Sequence, residues 1–203
     1  MIYKIANLLK DEIETLNFVD IAVGLAKPVT VKINTTTEED VSVLPKIVPM
    51  AINDLDDPCE PGDLIALVPD TTKMSIHFFE DQGVELISED TYYYHSQTTL
   101  RLVSWWNLPL INSSYTDASL LVANLISNMP ERLDNVDYLT QIRVSFNGED
   151  QSGAGIIAAY NFDEPENQFT TYPYMYTALN FLVDFAFAKN CPDAVVLNPS
   201  LCP

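Results

Sequence analysis

An α+β fold is what the sequence predicts: a mostly antiparallel sheet with two amphipathic helices and extended arms. Three observations lead there. Ile2, Ile5, Leu9, Ile13 and Leu16 recur at three- and four-residue spacing, the period of a helix with one apolar face. Leu120, Leu121, Leu125 and Ile126 form a second such stripe. Between and after them lie segments that alternate with period two or are rich in β-branched and aromatic residues, as strands are.

The opening helix runs from Ile2 to about Leu16, with Lys4, Asn7, Lys10, Asp11 and Glu14 off its apolar face, and Asn17 ends it. Phe18–Val23 reads as a strand. Pro28 begins another, in which Val29, Val31 and Ile33 alternate with Thr30, Lys32 and Asn34. Val41–Ile52 is apolar but carries Pro45 and Pro49. Proline removes a ladder donor, so this segment is an edge strand or an extended arm. Asn53–Asp63, dense in Asp, Pro and Gly, is a loop, and Leu64–Val68 a short strand. Met74–Phe79 and Val84–Ile87 flank Asp81-Gln82-Gly83, which signals a hairpin.

Thr91–Leu108 is the longest strand-like stretch. Leu100, Leu102, Ser104 and Trp106 share one face and Arg101, Val103 and Trp105 the other, so both faces are expected to be covered. A helix follows over Asp117–Met129, with Thr116 or Asp117 as its N-cap and Pro130 beyond its end. Tyr138–Phe146 is a strand, 147–155 a loop and Ile156–Tyr160 an apolar piece. In Tyr174–Ala188 the alternation of Leu179, Phe181, Val183, Phe185 and Phe187 favours a strand, with a helix as the alternative. The chain of 203 residues is read as a single domain with an arm at 41–63 and a C-terminal tail at 190–203.

Hydrophobic residues make up 47% and charged residues only 19%, enough for a core and low for a free-standing surface. The net charge of -19 opposes direct binding to nucleic acid and to anionic membranes, both of which attract Lys and Arg. Plain solubility is the bland account of the same charge. The N-terminal residues do not read as a signal peptide, and no apolar run is long enough to span a bilayer. Cys59, Cys191 and Cys202 form no C-x-x-C pair. Cys191 and Cys202 are left open between a disulfide and free thiols, the latter fitting a reducing cytoplasm.

Reactive machinery is not signalled, and no catalytic, cofactor or metal residues are assigned. The two histidines, His77 and His95, lie in strand-like segments, and there is no G-x-S-x-G elbow, P-loop, G-x-G-x-x-G or H-E-x-x-H. Asp54, Asp56, Asp57 and Asp63 offer oxygen ligands, but Pro58 and Pro61 break any EF-hand spacing, leaving a solvated acidic loop. Tyr92-Tyr93-Tyr94 with Trp105-Trp106 is an aromatic concentration suited to core, subunit interface or ligand platform. Tyr92, Tyr94, Trp105, Trp106, Pro45 and Pro49 are the candidate interface residues.

The opening helix Ile2–Leu16, the segment Leu100–Asn107 and Tyr172-Pro173-Tyr174-Met175-Tyr176 leading into the last strand give the chain a layout that resembles structural proteins of tailed bacteriophages, of the tail terminator and neck (head-to-tail completion) kind. The resemblance implies a non-enzymatic, ring-forming virion subunit, assembled in the host cytoplasm from copies of itself and joined to portal, neck or tail proteins. An acidic channel lining would let DNA slide without sticking. The rival expectations are a ligand-binding module built on the Tyr/Trp cluster and, last, a hydrolase using His77 or His95.

Overall fold

The computed structural model describes residues 2–37, 40–51, 67–134, 136, 139–150, 156, 160 and 172–189, with 31–37, 40–48, 50 and 51 described through their backbone. The elements follow in the order α1 (Ile2–Glu14), β1 (Ile21–Thr37), β2 (Asp40–Ala51), β3 (Ser75–Glu89), β4 (Tyr93–Asn107), α2 (Leu108–Ile111), α3 (Ser119–Asn128), β5 (Leu139–Asp150) and β6 (Tyr174–Ala188). The strand order is β2-β1-β3-β4-β6-β5. Every neighbouring pair is antiparallel except β1 and β3, so the fold is α+β with a mostly antiparallel sheet.

Two apolar layers hold the sheet. On one face α1 lays down Ile2, Ile5, Ala6, Leu9 and Ile13, and α3 adds Leu121, Val122 and Leu125. These meet Leu100, Leu102 and Trp106 of β4 and Leu179, Phe181, Val183 and Phe185 of β6. On the other face Val103 and Trp105 of β4 pack with Leu67, Ile76, Phe78, Ile156 and Tyr160. The doubly apolar strand is therefore covered on both sides, and the cover comes from this chain itself. Asn128 Nδ2 of α3 donates to the Glu12 carbonyl at 2.6 Å, an acceptor that Thr15 Oγ1 also reaches at 2.7 Å, and so ties α3 to the end of α1. Gly24 lets α1 approach β1 closely: a Cβ there would stand 1.9 Å from Asn7 Oδ1.

Several boundaries differ from the sequence reading. Phe18–Val23 and the strand after Pro28 are one element, β1, preceded by turns through Phe18. β1 pairs with β3 only between Ile21 and Leu25, then continues outward from Ala26 as the partner of β2. The Asp81-Gln82-Gly83 hairpin is absent, because β3 runs unbroken through it for 15 residues. The same residues make a bulge: the register shifts between Asp81 and Val84, Gly83 has φ 104°, and the Gly83 amide donates to Asp81 Oδ1 at 2.9 Å. The true turn is at Asp90–Tyr92, where Asp90 Oδ1 accepts from the Tyr92 and Tyr93 amides, each at 2.7 Å.

α3 begins at Ser119 rather than Asp117, and Asp117 Oδ1 accepts from the Ser119 amide at 2.9 Å. β5 extends to Asp150, through residues 147–150 that were read as loop. β6 is a strand over Tyr174–Ala188, as its alternation indicates. The tail at 190–203, all three cysteines, residues 52–63 of the arm and residues 64–66 of the expected strand Leu64–Val68 lie outside the described residues. No helix among the described residues is long and apolar enough to cross a membrane.

Candidate functional site

His77 is fully enclosed, and the hydrogen bonds around it define its chemistry. It faces Ser104 across the β3–β4 ladder, and Ser104 Oγ lies 2.8 Å from its Nδ1. Ser75 Oγ is 2.7 Å from its Nε2 and donates its own proton to the Phe18 carbonyl at 2.7 Å. A hydroxyl has one proton to give, so Nε2 must carry hydrogen and Nδ1 must accept from Ser104. Burial pulls the imidazole down to about 3, which keeps this neutral tautomer. His77, Ser75 and Ser104 are each 0% exposed, so a Ser–His pair exists here without a route for substrate. His95 lies at the opposite end of the same ladder, with Nε2 3.0 Å from Asp90 Oδ2 on the turn. That contact first, and the Tyr92 and Tyr93 amides next, bring the Asp90 carboxyl down to about 2.

The aromatic concentration is divided rather than gathered. Trp105 and Trp106 point to opposite faces and are 1% and 0% exposed. Trp106 Nε1 donates to Thr177 Oγ1 at 2.9 Å and its ring meets His77 edge-on at 4.8 Å. Trp105 stacks on Tyr174 at 5.7 Å. Both tryptophans are core residues, and neither is available to a ligand or another subunit, a correction to the sequence reading. Pro49 is likewise buried, and its carbonyl accepts from the Leu67 amide at 2.8 Å. Pro45 stands opposite Lys32 on edge strand β2. Tyr94 is half-buried beneath Lys189 Nζ, 5.0 Å from the ring centroid, and Tyr92 alone of the tyrosine run is strongly exposed.

A second polar cluster ties a distant segment to the sheet. Arg101 donates through Nε to Asp150 Oδ2 at 2.6 Å, and through Nη1 to Glu80 Oε2 at 3.0 Å and to the Ile156 carbonyl at 3.3 Å. Tyr160 donates to the other Glu80 oxygen, and Asn180 Nδ2 to the other Asp150 oxygen at 2.9 Å. Burial, then the Glu80 hydrogen bond, push the Tyr160 phenol up, so it stays a donor. Both carboxylates are engaged, and the cluster acts as a clasp. Among the described residues no group of three or more His, Cys, Asp or Glu side chains lies together as metal ligands would.

No protein-family model, no curated protein and no solved structure matches this chain. The surface itself is then the guide.

Beyond Glu80 every residue of β3, nine in all, is exposed. Val84, Leu86 and Ile87 are 44%, 60% and 57% exposed, among Asp81, Glu85 and Glu89. The cause is topological: β1 parts from β3 after Leu25, so the outer margin of residues 81–89 has no described strand beside it. At the other margin Arg132 and Arg143 face each other across an isolated bridge, both exposed. Neither has an ion-pair partner among the described residues. They border an open groove of ≈ 590 Å³ between the end of α3 and β5–β6, with Phe146 and Phe181 in its lining. Sequence reasoning missed both margins. Val84-Glu85-Leu86-Ile87 shows one usable signal, an apolar run without a polar face in a chain read as hairpin there.

Proposed function

We propose that this protein is a non-enzymatic structural subunit that works by joining copies of itself into a ring, of the tail terminator or head-to-tail connector type, in the neck or tail of a bacteriophage particle. The observation that carries the self-assembly is the exposed outer half of β3, a strand margin with no described strand beside it that bears Val84, Leu86 and Ile87. Such a margin is a template for another chain. The low charge fraction fits a subunit whose sides are covered by neighbours, and the charge of -19 fits a ring through which DNA slides. In this reading His77 and the Arg101 clasp serve the fold, and the particle, assembled in the host cytoplasm, is where the protein resides.

Size-exclusion chromatography with light scattering tests the reading, on the protein alone over a wide concentration range and mixed with portal or tail-tube proteins encoded beside it. A discrete mass at a small multiple of the subunit is expected. A strict monomer under every condition overturns the proposal.

A further inference from the structure

We infer that the outer half of β3 in one copy docks against the Arg132–Arg143 margin of the next, head to tail, with Glu85 meeting Arg143. The inference rests on the self-assembly proposed above and names the surfaces that would carry it. Its ground is the register of the sheet. Glu85 stands opposite Gln97, Gln97 opposite Asp184, and Asp184 opposite Arg143. Directly opposed residues in antiparallel pairs share a face, and the 2.7 Å bond from Gln97 Nε2 to Asp184 Oδ1 marks that face here. Glu85 and Arg143 therefore occupy one level on one face at the two margins of β3-β4-β6-β5. The next row, Val84, Thr98, Val183 and Val144, ends in a valine at each margin.

A second copy shifted sideways along the sheet, without turning over, brings its Glu85 level with Arg143. Its β3 would then run antiparallel to β5. Residues 131–133 already take outward hydrogen bonds of β5, through Leu133 N to the Ile142 carbonyl at 3.2 Å and Val144 N to the Glu131 carbonyl at 3.0 Å. The contact is thus one of side chains: the β3 acids against Arg132 and Arg143, and Val84 towards Val144 on the side of the groove that Phe146 lines, itself 45% exposed. Of the groove's own carboxylates, Asp184 is held by Gln97, while Glu131 lies exposed beside Arg132. Because the two surfaces differ and lie on opposite margins, the contact propagates from copy to copy and closes as a ring or extends as a filament, rather than stopping at a two-fold dimer.

Glu85→Arg and Arg143→Glu test this by charge exchange, with Arg132→Glu as a second disruption of the basic margin. All three positions are exposed, and circular dichroism and thermal melting would show that each variant folds. Each variant is expected to assemble only at concentrations about tenfold higher than the unaltered protein, near 1.4 kcal/mol per contact. The double variant Glu85→Arg/Arg143→Glu, in which every contact again opposes unlike charges, is expected to assemble as the unaltered protein does. If the single variants assemble normally, or the double variant does not recover, the docking is overturned while the ring reading stands. If the unaltered protein never assembles, both fall.

Discussion

Ser104 Oγ gives its proton to His77 Nδ1 across 2.8 Å, in the middle of the sheet and out of reach of solvent. Ser75 receives the proton of Nε2 and passes its own to Phe18, so a chain of hydrogen bonds joins β4, β3 and the turn before β1. This gives the polar row in the core a single arrangement and fixes where β1 enters the sheet.

That row makes stability depend on acid. The folded His77 is held near 3, against an ordinary value of 6.5. Above 6.5 the ring is neutral in both states and contributes no pH dependence. Below 6.5 the unfolded chain takes up a proton that the folded chain refuses, so stability falls as pH drops towards about 3. Between pH 7 and pH 5 this one group is expected to remove about 2 kcal/mol. Urea unfolding at both pH values, compared between the unaltered protein and His77→Gln, isolates it; an equal pH slope in the two proteins would refute the assignment.

Burial of both indoles predicts a blue-shifted tryptophan emission that iodide does not quench, in the folded protein with or without candidate sugars and peptides. Accessible tryptophan, or a ligand-dependent shift, would contradict the enclosed positions of Trp105 and Trp106.

Arg101→Met leaves Glu80 and Asp150 without their cation at the edge of the second core layer. A loss of about 2–3 kcal/mol is expected, less than for a fully buried pair because the Asp150 side chain is 40% exposed. Tyr160→Phe removes only one donor to Glu80 and should cost about 1 kcal/mol. Hydrogen exchange supplies the local readout: the amides of Ile156 and Tyr160 should lose protection in Arg101→Met before those of β4 do.

Gly24→Ala places a methyl group on Asn7 Oδ1, the end of a side chain that must turn aside, and a loss of about 0.5–1.5 kcal/mol is expected from the displaced rotamer. Asn7→Ala in the same chain should recover most of it. Thermal melting of the two single variants and the double variant decides the point, and additive losses would exclude a clash between these two residues.

Where a periodicity is long and pure, the sequence alone was enough. The α1 stripe from Ile2 to Ile13 and the alternation through Leu179–Phe187 each come from one uninterrupted contact with the core. Asp81-Gln82-Gly83 misled because a tight turn and a bulge ask for the same residues, a short acceptor and a glycine at positive φ. Only the partner strand distinguishes the two. The tryptophans misled for a related reason: adjacent residues of a strand point apart, so Trp105-Trp106 is a pair in sequence and not in space. The margin residues were the least legible. Glu85 and Arg143 are brought to one level by three strand registers, and register belongs to pairing rather than to local sequence.

The departure of β1 from β3 after Leu25 also sets a storage problem for the isolated subunit. Val84, Leu86 and Ile87 stay dispersed in water only while the carboxylates around them keep copies from stacking in the wrong register. High salt, by screening those carboxylates, would lift that restraint, so the same strand that suits ordered joining would then favour a precipitate.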